Sequence, residues 1–125
     1  MRRLIFAVLL LSSGPAWSGW VQMSSEAEGS VMYADPDSLK VDGQLRQIVE
    51  LHDLKAPDKV RGHRSARVMA EYDCKEARIR LLREEYFSGQ MGGGDRLGGT
   101  TEPTRWFSLS PGTRGWNLMK FVCSR

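Results

Sequence analysis

The sequence is poor in the residues on which most catalytic and metal sites depend. Among 125 residues it has only two histidines, His52 and His63, and two cysteines. A serine or cysteine nucleophile needs a neighbouring base, usually histidine, and no Gly-x-Ser-x-Gly elbow is present. We therefore predict no catalytic residue and no enzyme. His52 is expected on the solvent side of a strand and His63 in a surface loop.

Metal and phosphate motifs are missing as well. Asp35, Asp37 and Asp42 are close in sequence, but their spacing and the lack of a glutamate at the loop end favour turn roles over calcium binding. The glycine-rich stretch Ser88–Thr100 contains neither Gly-Lys-Ser/Thr nor Gly-x-Gly-x-x-Gly, so we interpret it as a mobile hairpin connection. Neither a metal nor a cofactor is predicted.

The chain has no long apolar run. Leu4–Leu11 is much shorter than the roughly 20 residues that a membrane-spanning helix needs. It follows Met1-Arg2-Arg3 and precedes the small-residue site Ala16-Trp17-Ser18, an order typical of a secretory signal peptide rather than a retained anchor. We predict that residues 1–18 are removed and that residues 19–125 form one small exported domain.

The missing lipid-accepting cysteine limits the expected location of the protein, and its net charge limits the expected partners. No cysteine lies near the predicted cleavage site, so the mature protein is expected to be periplasmic or secreted, without a transmembrane anchor. Arg2 and Arg3 carry two units of the formal net charge of +3, so the exported domain is nearly neutral. Export and weak charge both argue against nucleic-acid binding.

The two cysteines are Cys74 and Cys123. In an oxidising compartment an even number of well-separated cysteines indicates a disulfide, whereas free thiols are the rule in the cytosol. A domain of this size has a modest core and benefits from a covalent link. We predict that Cys74 and Cys123 are bonded to each other; free thiols and an intermolecular bridge are the alternatives.

The clearest pattern lies between Ser65 and Phe87. From Ala66 to Cys74 the even positions are apolar and the odd positions largely polar, which predicts a strand with one buried face. Arg78–Phe87 alternates again, and a one-residue bulge near Leu81-Leu82 explains a shift of parity there. Helix formers in Lys75–Glu85 make a helix the favoured choice on propensity alone, whereas the preceding strand favours a β-hairpin.

Short strands, turns and one helix are predicted for the rest of the chain. Trp20, Trp106 and Trp116 are expected in the core. The predicted elements are a first hairpin of Trp20–Met23 and Val31–Ala34, a turn or single helical turn at Asp35–Leu39, a hairpin turn at Asp42-Gly43, a strand at Leu45–Leu54, an exposed loop at Ala56–Arg64, a strand at Trp106–Leu109 and a C-terminal helix with Trp116, Met119, Val122 and Cys123 on one face.

Several short motifs follow one another along the exported domain. They are Trp20-Val21, Tyr33-x-Asp35-Pro36-x-Ser38-Leu39, Glu71-Tyr72-Asp73-Cys74, Arg78-Ile79-Arg80, Tyr86-Phe87-Ser88-Gly89, Pro111-Gly112-Thr113 and Cys123. In this order they resemble the bacterial surface-adhesin protein E-like domain family. The resemblance covers essentially all of residues 19–125.

The resemblance implies an α+β fold, with an antiparallel sheet of about six strands in a hairpin meander, a C-terminal helix and a Cys74–Cys123 disulfide. It thereby favours strand over helix for residues 75–87. It also implies an exported, non-enzymatic adhesion-type module that recognises host matrix or envelope macromolecules. The alternative function is that of a periplasmic accessory or envelope-maintenance protein.

Basic residues indicate where a partner would bind. Three arginines share the polar parity of the central hairpin, and two lie in the loop before it. If they converge, the surface attracts an acidic macromolecule such as an extracellular-matrix protein. The alternative is a solvated face on which Glu71, Glu84 and Glu85 pair with the arginines. The candidate binding residues are Arg61, Arg64, Arg67, Arg78 and Arg80.

Signal-peptide removal gives the first testable prediction. We expect cleavage between Ser18 and Gly19, because the small residues Ala16 and Ser18 flank the site in the arrangement that signal peptidase requires. N-terminal sequencing of the exported protein measures the position. A mature protein that keeps Met1, or that stays in membranes after a carbonate wash, contradicts the prediction.

Overall fold

The computed structural model describes residues 19–25 and 30–125, and the predicted signal peptide lies outside them. In the described residues an antiparallel sheet runs in the order β1-β2-β3-β4-β5-β6, with the short β7 paired to β5, and one helix follows. The α+β prediction is confirmed. The elements are β1 Val21–Ser25, β2 Val31–Asp42, β3 Leu45–Asp53, β4 Ser65–Asp73, β5 Arg78–Phe87, β6 Arg96–Thr100, β7 Phe107–Ser108 and α1 Arg114–Cys123.

The central hairpin forms as its alternation predicts. β4 pairs with β5 along its whole length, from Ser65 opposite Phe87 to Asp73 opposite Arg78. The register shifts once, because Met69 faces Arg83 while Ala70 faces Leu81, which leaves Leu82 as the extra residue. The predicted bulge is therefore confirmed, and the helix considered for residues 75–87 does not form.

Two turns differ in detail from the predictions. Asp35–Leu39 does not separate two elements, since β2 continues through it with only its pairing to β3 interrupted between Asp35 and Lys40. Within the interruption the Ser38 hydroxyl accepts from the Val49 N–H at 2.8 Å, which replaces a ladder bond. The next hairpin turn is Gly43-Gln44, one residue later than predicted, because Gly43 supplies the positive φ of 57° that starts it.

The glycine-rich stretch is more ordered than a mobile connection. Its second half forms the edge strand β6, with Gly98 opposite Tyr86 and Gly99 opposite Glu85. Its first half contains a 3-10 turn at Gln90–Gly92, held by a bond from the Gly92 N–H to the Ser65 hydroxyl and another from the Met91 N–H to the Asp53 carboxylate, both 2.8 Å. The predicted flexible loop is therefore wrong, because strand pairing with β5 and hydrogen bonds from its N–H groups to the Ser65 and Asp53 side chains order it.

The core lies between α1 and one face of the sheet. Thr113 caps the helix by accepting from the Trp116 N–H, and the buried helix residues Leu118, Met119 and Val122 pack on Ile48, Ala70 and Tyr72. The hydroxyl of Tyr72 donates to the buried carboxylate of Glu50. Burial, together with this negative neighbour, raises the pKa of Tyr72 well above 10.0. The polar contact gives an otherwise apolar interface one fixed arrangement.

The disulfide fixes the end of this helix to the turn between β4 and β5. Cys74 and Cys123 are bonded, with their Cα atoms 5.8 Å apart, and no free cysteine is present in the described residues. The predicted pairing is confirmed. The disulfide adds a covalent link between helix and sheet to the noncovalent packing of α1 on the core.

Removing the disulfide tests its share of the stability. Replacing Cys74 and Cys123 with serine opens a loop spanning 49 residues, and the chain-entropy model then gives a loss of about 4 kcal/mol in the free energy of unfolding. Urea unfolding of the oxidised parent and of the double variant measures the difference. A loss below about 1 kcal/mol would show that helix packing alone holds α1 in place.

Candidate functional site

The sheet has a second face that α1 does not cover, which we call the outer face. The odd-numbered residues of β4 lie on the outer face, and so do the β5 residues directly opposite them in the register. Alternate residues of the neighbouring strands β3 and β6 continue it. Its β4 and β5 members are Ser65, Arg67, Met69, Glu71, Asp73, Arg78, Arg80, Arg83, Glu85 and Phe87.

A buried carboxylate anchors one end of the outer face. Asp73 has no exposed surface and accepts hydrogen bonds from Gln44 at 3.0 Å and from the Arg78 guanidinium at 3.0 Å. The backbone N–H groups of Lys75 and Glu76 donate to the same carboxylate, each at 3.1 Å. Its acceptor sites are thereby filled, as a buried charge requires.

The next cross-strand pair repeats the arrangement. Glu71, which is 3% exposed, accepts from Gln47 at 2.9 Å and pairs with Arg80 at 2.7 Å. Trp106 covers both arginines, since its ring centroid lies 4.4 Å from the Arg78 guanidinium and 4.5 Å from that of Arg80. Trp106 is half-buried here rather than part of the core, so that prediction was wrong. The odd positions Glu71 and Asp73 are likewise buried where the alternation predicted solvent.

These contacts determine the titration of Asp73. Burial alone would raise its pKa, but the hydrogen bonds from the Glu76 N–H, from Arg78, from the Lys75 N–H and from Gln44 outweigh it, so the pKa falls below the ordinary 3.8. The carboxylate is therefore charged throughout the neutral and mildly acidic range.

The middle of the outer face carries unbalanced positive charge. Glu85 is the acidic residue there, and it pairs with Arg83 at 3.5 Å and with Arg96 at 3.4 Å. Arg67 lies directly opposite Glu85 in the register and is exposed, but makes no ion pair within the described part of the chain. We call Arg67, Arg83 and Arg96 the arginine cluster. Glu84 and Glu102 line a cavity together with Arg83 and Arg96, so the unbalanced positive charge is that of Arg67.

Two shallow cavities flank Arg67. The first, about 200 Å³, lies between Arg67 and Arg83 and is floored by Val49 and Met69. The second, about 190 Å³, lies on the other side of Arg67, against Trp20 and Phe87. Each combines apolar atoms with the same guanidinium. A ligand placed here would contact hydrocarbon while its acidic groups face Arg67.

The predicted basic loop, at the end of this sheet, is held by internal hydrogen bonds. Asp58 accepts from the N–H groups of Val60 at 2.9 Å and Arg61 at 2.8 Å, and these bonds hold the pKa of Asp58 below 3.8. Its own N–H donates to the His63 carbonyl at 2.8 Å. The resulting tight loop leaves Val60 90% exposed at its tip.

His63 and Arg61 both contact Tyr86. The His63 ring centroid lies 4.7 Å from that of Tyr86, and the Arg61 guanidinium lies 4.5 Å from the same ring. His63 is only 8% exposed, so its predicted surface position was wrong. The reason is a long-range aromatic contact with β5. His52, 30% exposed and 3.4 Å from Glu50, lies on the helix side of the sheet, half-buried.

The structure thus separates the candidate arginines into three groups. Arg78 pairs with the buried carboxylate of Asp73, and Arg80 pairs with that of Glu71. The second pair agrees with the alternative interpretation, in which glutamates of this face pair with its arginines. Arg61 packs on Tyr86, and Arg64 donates to the Lys55 carbonyl at 2.8 Å. Arg67 remains exposed on the outer face.

Sequence reasoning missed two members of the arginine cluster. The bulge at Leu82 turns Arg83 onto the same face as Arg67, so carrying the predicted bulge through the strand would have identified Arg83. Arg96 was missed because β6 itself was missed.

The described residues contain no group of three or more histidine, cysteine or acidic side chains placed to hold a metal ion. None of the described helices is long and apolar enough to cross a membrane.

A family profile for surface-adhesin protein E matches residues 20–124. The chain belongs to the surface-adhesin protein E family. Crystal form II of Haemophilus influenzae protein E has a similar fold, with a TM-score of 0.64 at 22% identity over 86% of this chain and 88% of that one. Protein E from non-typeable Haemophilus influenzae gives a TM-score of 0.60 at 22% identity, over 86% and 76% of the two chains. No curated protein matches the sequence significantly.

Family membership supports an adhesion-type surface protein. At 22% identity the solved structures show the shared fold alone. The profile match over residues 20–124 confirms the family resemblance inferred from the motifs. The residues that contact a partner are a separate matter, for which the arginine cluster and the basic loop are the structural candidates.

The lowered pKa of Asp73 predicts how stability responds to acid. A carboxyl group whose pKa is depressed by folding contributes stability above its unfolded pKa, near 3.8, and that contribution is lost as the pH falls through the folded value. Asp73→Asn should cost about 1–3 kcal/mol at pH 7, because the Arg78 bond loses its charge. Urea unfolding of parent and variant between pH 7 and pH 2 should show this difference shrinking as Asp73 is protonated. A pH-independent difference would contradict the assigned role.

Proposed function

We propose that the protein is a non-enzymatic adhesion module that binds an acidic macromolecule of the host matrix through the outer face. The arginine cluster forms the contact surface on this face, and the basic loop ending at Arg64 adds further positive charge at the end of the sheet. Family membership supports the adhesion role, and the charge of the surface supports the acidic partner.

One observation carries the proposal. Arg67 is exposed in the middle of a sheet face that no described helix covers, and the nearby carboxylate of Glu85 is already occupied by Arg83 and Arg96. An exposed guanidinium without an acidic partner is free to form bidentate contacts with carboxylate or sulfate groups. The flanking cavities add apolar contact beside this charge.

The basic loop is a second, preorganised element at the end of the sheet, where Arg61 packs on Tyr86 on the helix side. Asp58 and the Tyr86 contacts fix the loop, so binding costs little further conformational entropy there. Val60 at the tip offers an apolar side chain beside Lys59 and Arg61. Contacts of this kind reinforce exposed charges, which are individually weak and are screened within about 10 Å at 0.1 M salt.

The proposed adhesion role requires an exported protein that reaches the cell exterior. The predicted signal peptide supports export, and the missing cysteine near its cleavage site favours secretion over lipid anchoring. The envelope-maintenance alternative places the same protein in the periplasm throughout. Fractionation of cells that produce a tagged protein distinguishes the two, because an adhesin has to reach the exterior.

Charge reversal tests the contact surface. We expect Arg67→Glu with Arg83→Glu to weaken binding to immobilised extracellular-matrix protein about tenfold or more, because repulsion replaces attraction on the outer face. Both side chains are exposed, so thermal stability should change little. Surface plasmon resonance at several salt concentrations measures the affinity, which should fall as ionic strength rises.

The matched control is Lys75→Glu with Lys120→Glu, which changes the net charge equally but lies on the helix side of the sheet. This control should bind as the parent does. Equal losses in both double variants would indicate a nonspecific charge effect. Unchanged, salt-independent binding by the outer-face variant would overturn the proposed surface.

A further inference from the structure

A wide groove lies beside the disulfide, on the side of the sheet that carries α1. The turn between β4 and β5 forms one wall and the last turns of the helix form the other. Its volume is about 630 Å³, within the range of about 300–1,000 Å³ typical of small-molecule sites. The lining residues are Cys74, Lys75, Ala77, Trp116, Met119, Lys120, Cys123 and Ser124.

The groove is mainly apolar. Trp116, Met119, Ala77 and the disulfide supply its hydrocarbon and sulfur surface. The one hydroxyl among the lining residues, that of Ser124, already donates to the Phe121 carbonyl at 2.8 Å. An extended peptide placed here would find few partners for its backbone amides, which is costly. A hydrocarbon chain needs none, so the surface favours an alkyl group.

The charges at the groove have one sign. Lys75 and Lys120 are both exposed, and neither forms an ion pair in the described part of the chain. No acidic residue lines the groove, and α1 contains no aspartate or glutamate from Arg114 to Cys123. Two ammonium groups beside an apolar surface complement a ligand with one anionic head and one apolar tail.

We propose that this groove binds a monomeric amphiphile of the fatty-acid class. The alkyl chain packs on Trp116 and Met119, and the carboxylate pairs with Lys75 and Lys120. The site lies on the opposite side of the sheet from the arginine cluster. It therefore works independently of the proposed adhesion surface, and either proposal can fail while the other stands.

Laurate is the probe, used with the mature, oxidised protein below the critical micelle concentration. Calorimetry should show saturable binding of one equivalent, and tryptophan fluorescence should shift as the alkyl chain covers Trp116. Trp116→Phe should remove the fluorescence shift, which assigns the signal to the groove. Dodecyltrimethylammonium has the same tail with a cationic head and should bind at least tenfold more weakly.

Two pairs of variants locate the site. Lys75→Gln with Lys120→Gln should weaken laurate binding at least tenfold, and because both side chains are exposed the melting temperature should stay near that of the parent. Arg67→Glu with Arg83→Glu, on the outer face, should bind laurate as the parent does.

Four outcomes overturn the proposal. They are no saturable laurate binding, equal affinity for the cationic amphiphile, unchanged affinity in the lysine variant, and association only with anionic phospholipid vesicles. The last outcome would indicate that the groove contacts a bilayer surface rather than a single amphiphile.

Discussion

The carboxylate of Asp73 is the contact on which much of the remaining structure depends. It is fully buried, and side-chain and backbone donors from two turns and from β5 occupy it. The next residue, Cys74, donates its N–H to the Gln44 carbonyl at 2.9 Å, so the turn is held on both sides. A turn fixed in this way presents Cys74 at the separation from Cys123 that a disulfide needs. That bond and the packing of α1 on the core together fix the position of the helix.

The arginines of the outer face divide according to what lies beneath them. Arg78 and Arg80 meet buried acids, and breaking such a pair leaves an uncompensated charge in a region of low dielectric constant. Those side chains are committed to folding, and Trp106 shields them further. Arg67 has Leu51 on one neighbouring strand and an already paired Glu85 on the other. Its guanidinium forms no ion pair in the described residues and so is available for a partner.

The sequence predicts those parts of the fold in which apolar and polar side chains alternate along a strand. Alternation in β4 and the parity shift at Leu82 follow from the pleat, so the sequence predicts both the hairpin and its bulge. β6 lacks that signal, because Gly98 and Gly99 have no side chains to alternate. The burial of His63 depends on Tyr86, a contact between residues far apart in sequence that no local pattern encodes. The pairing of Arg80 with Glu71 needs the register, which the turn between Asp73 and Arg78 sets.

A binding protein with shallow cavities has to obtain its affinity from a surface that is already ordered. The cavities beside Arg67 bury too little of a ligand to act as conventional pockets, so several weak contacts have to add together. A contact contributes more to affinity when its residues lose little conformational entropy on binding, because folding has already ordered them. The sheet orders the backbone at Arg67, and contacts with Asp58 and Tyr86 order the basic loop. In the proposed binding mode, the order of the loop therefore matters as much as the charges that the loop carries.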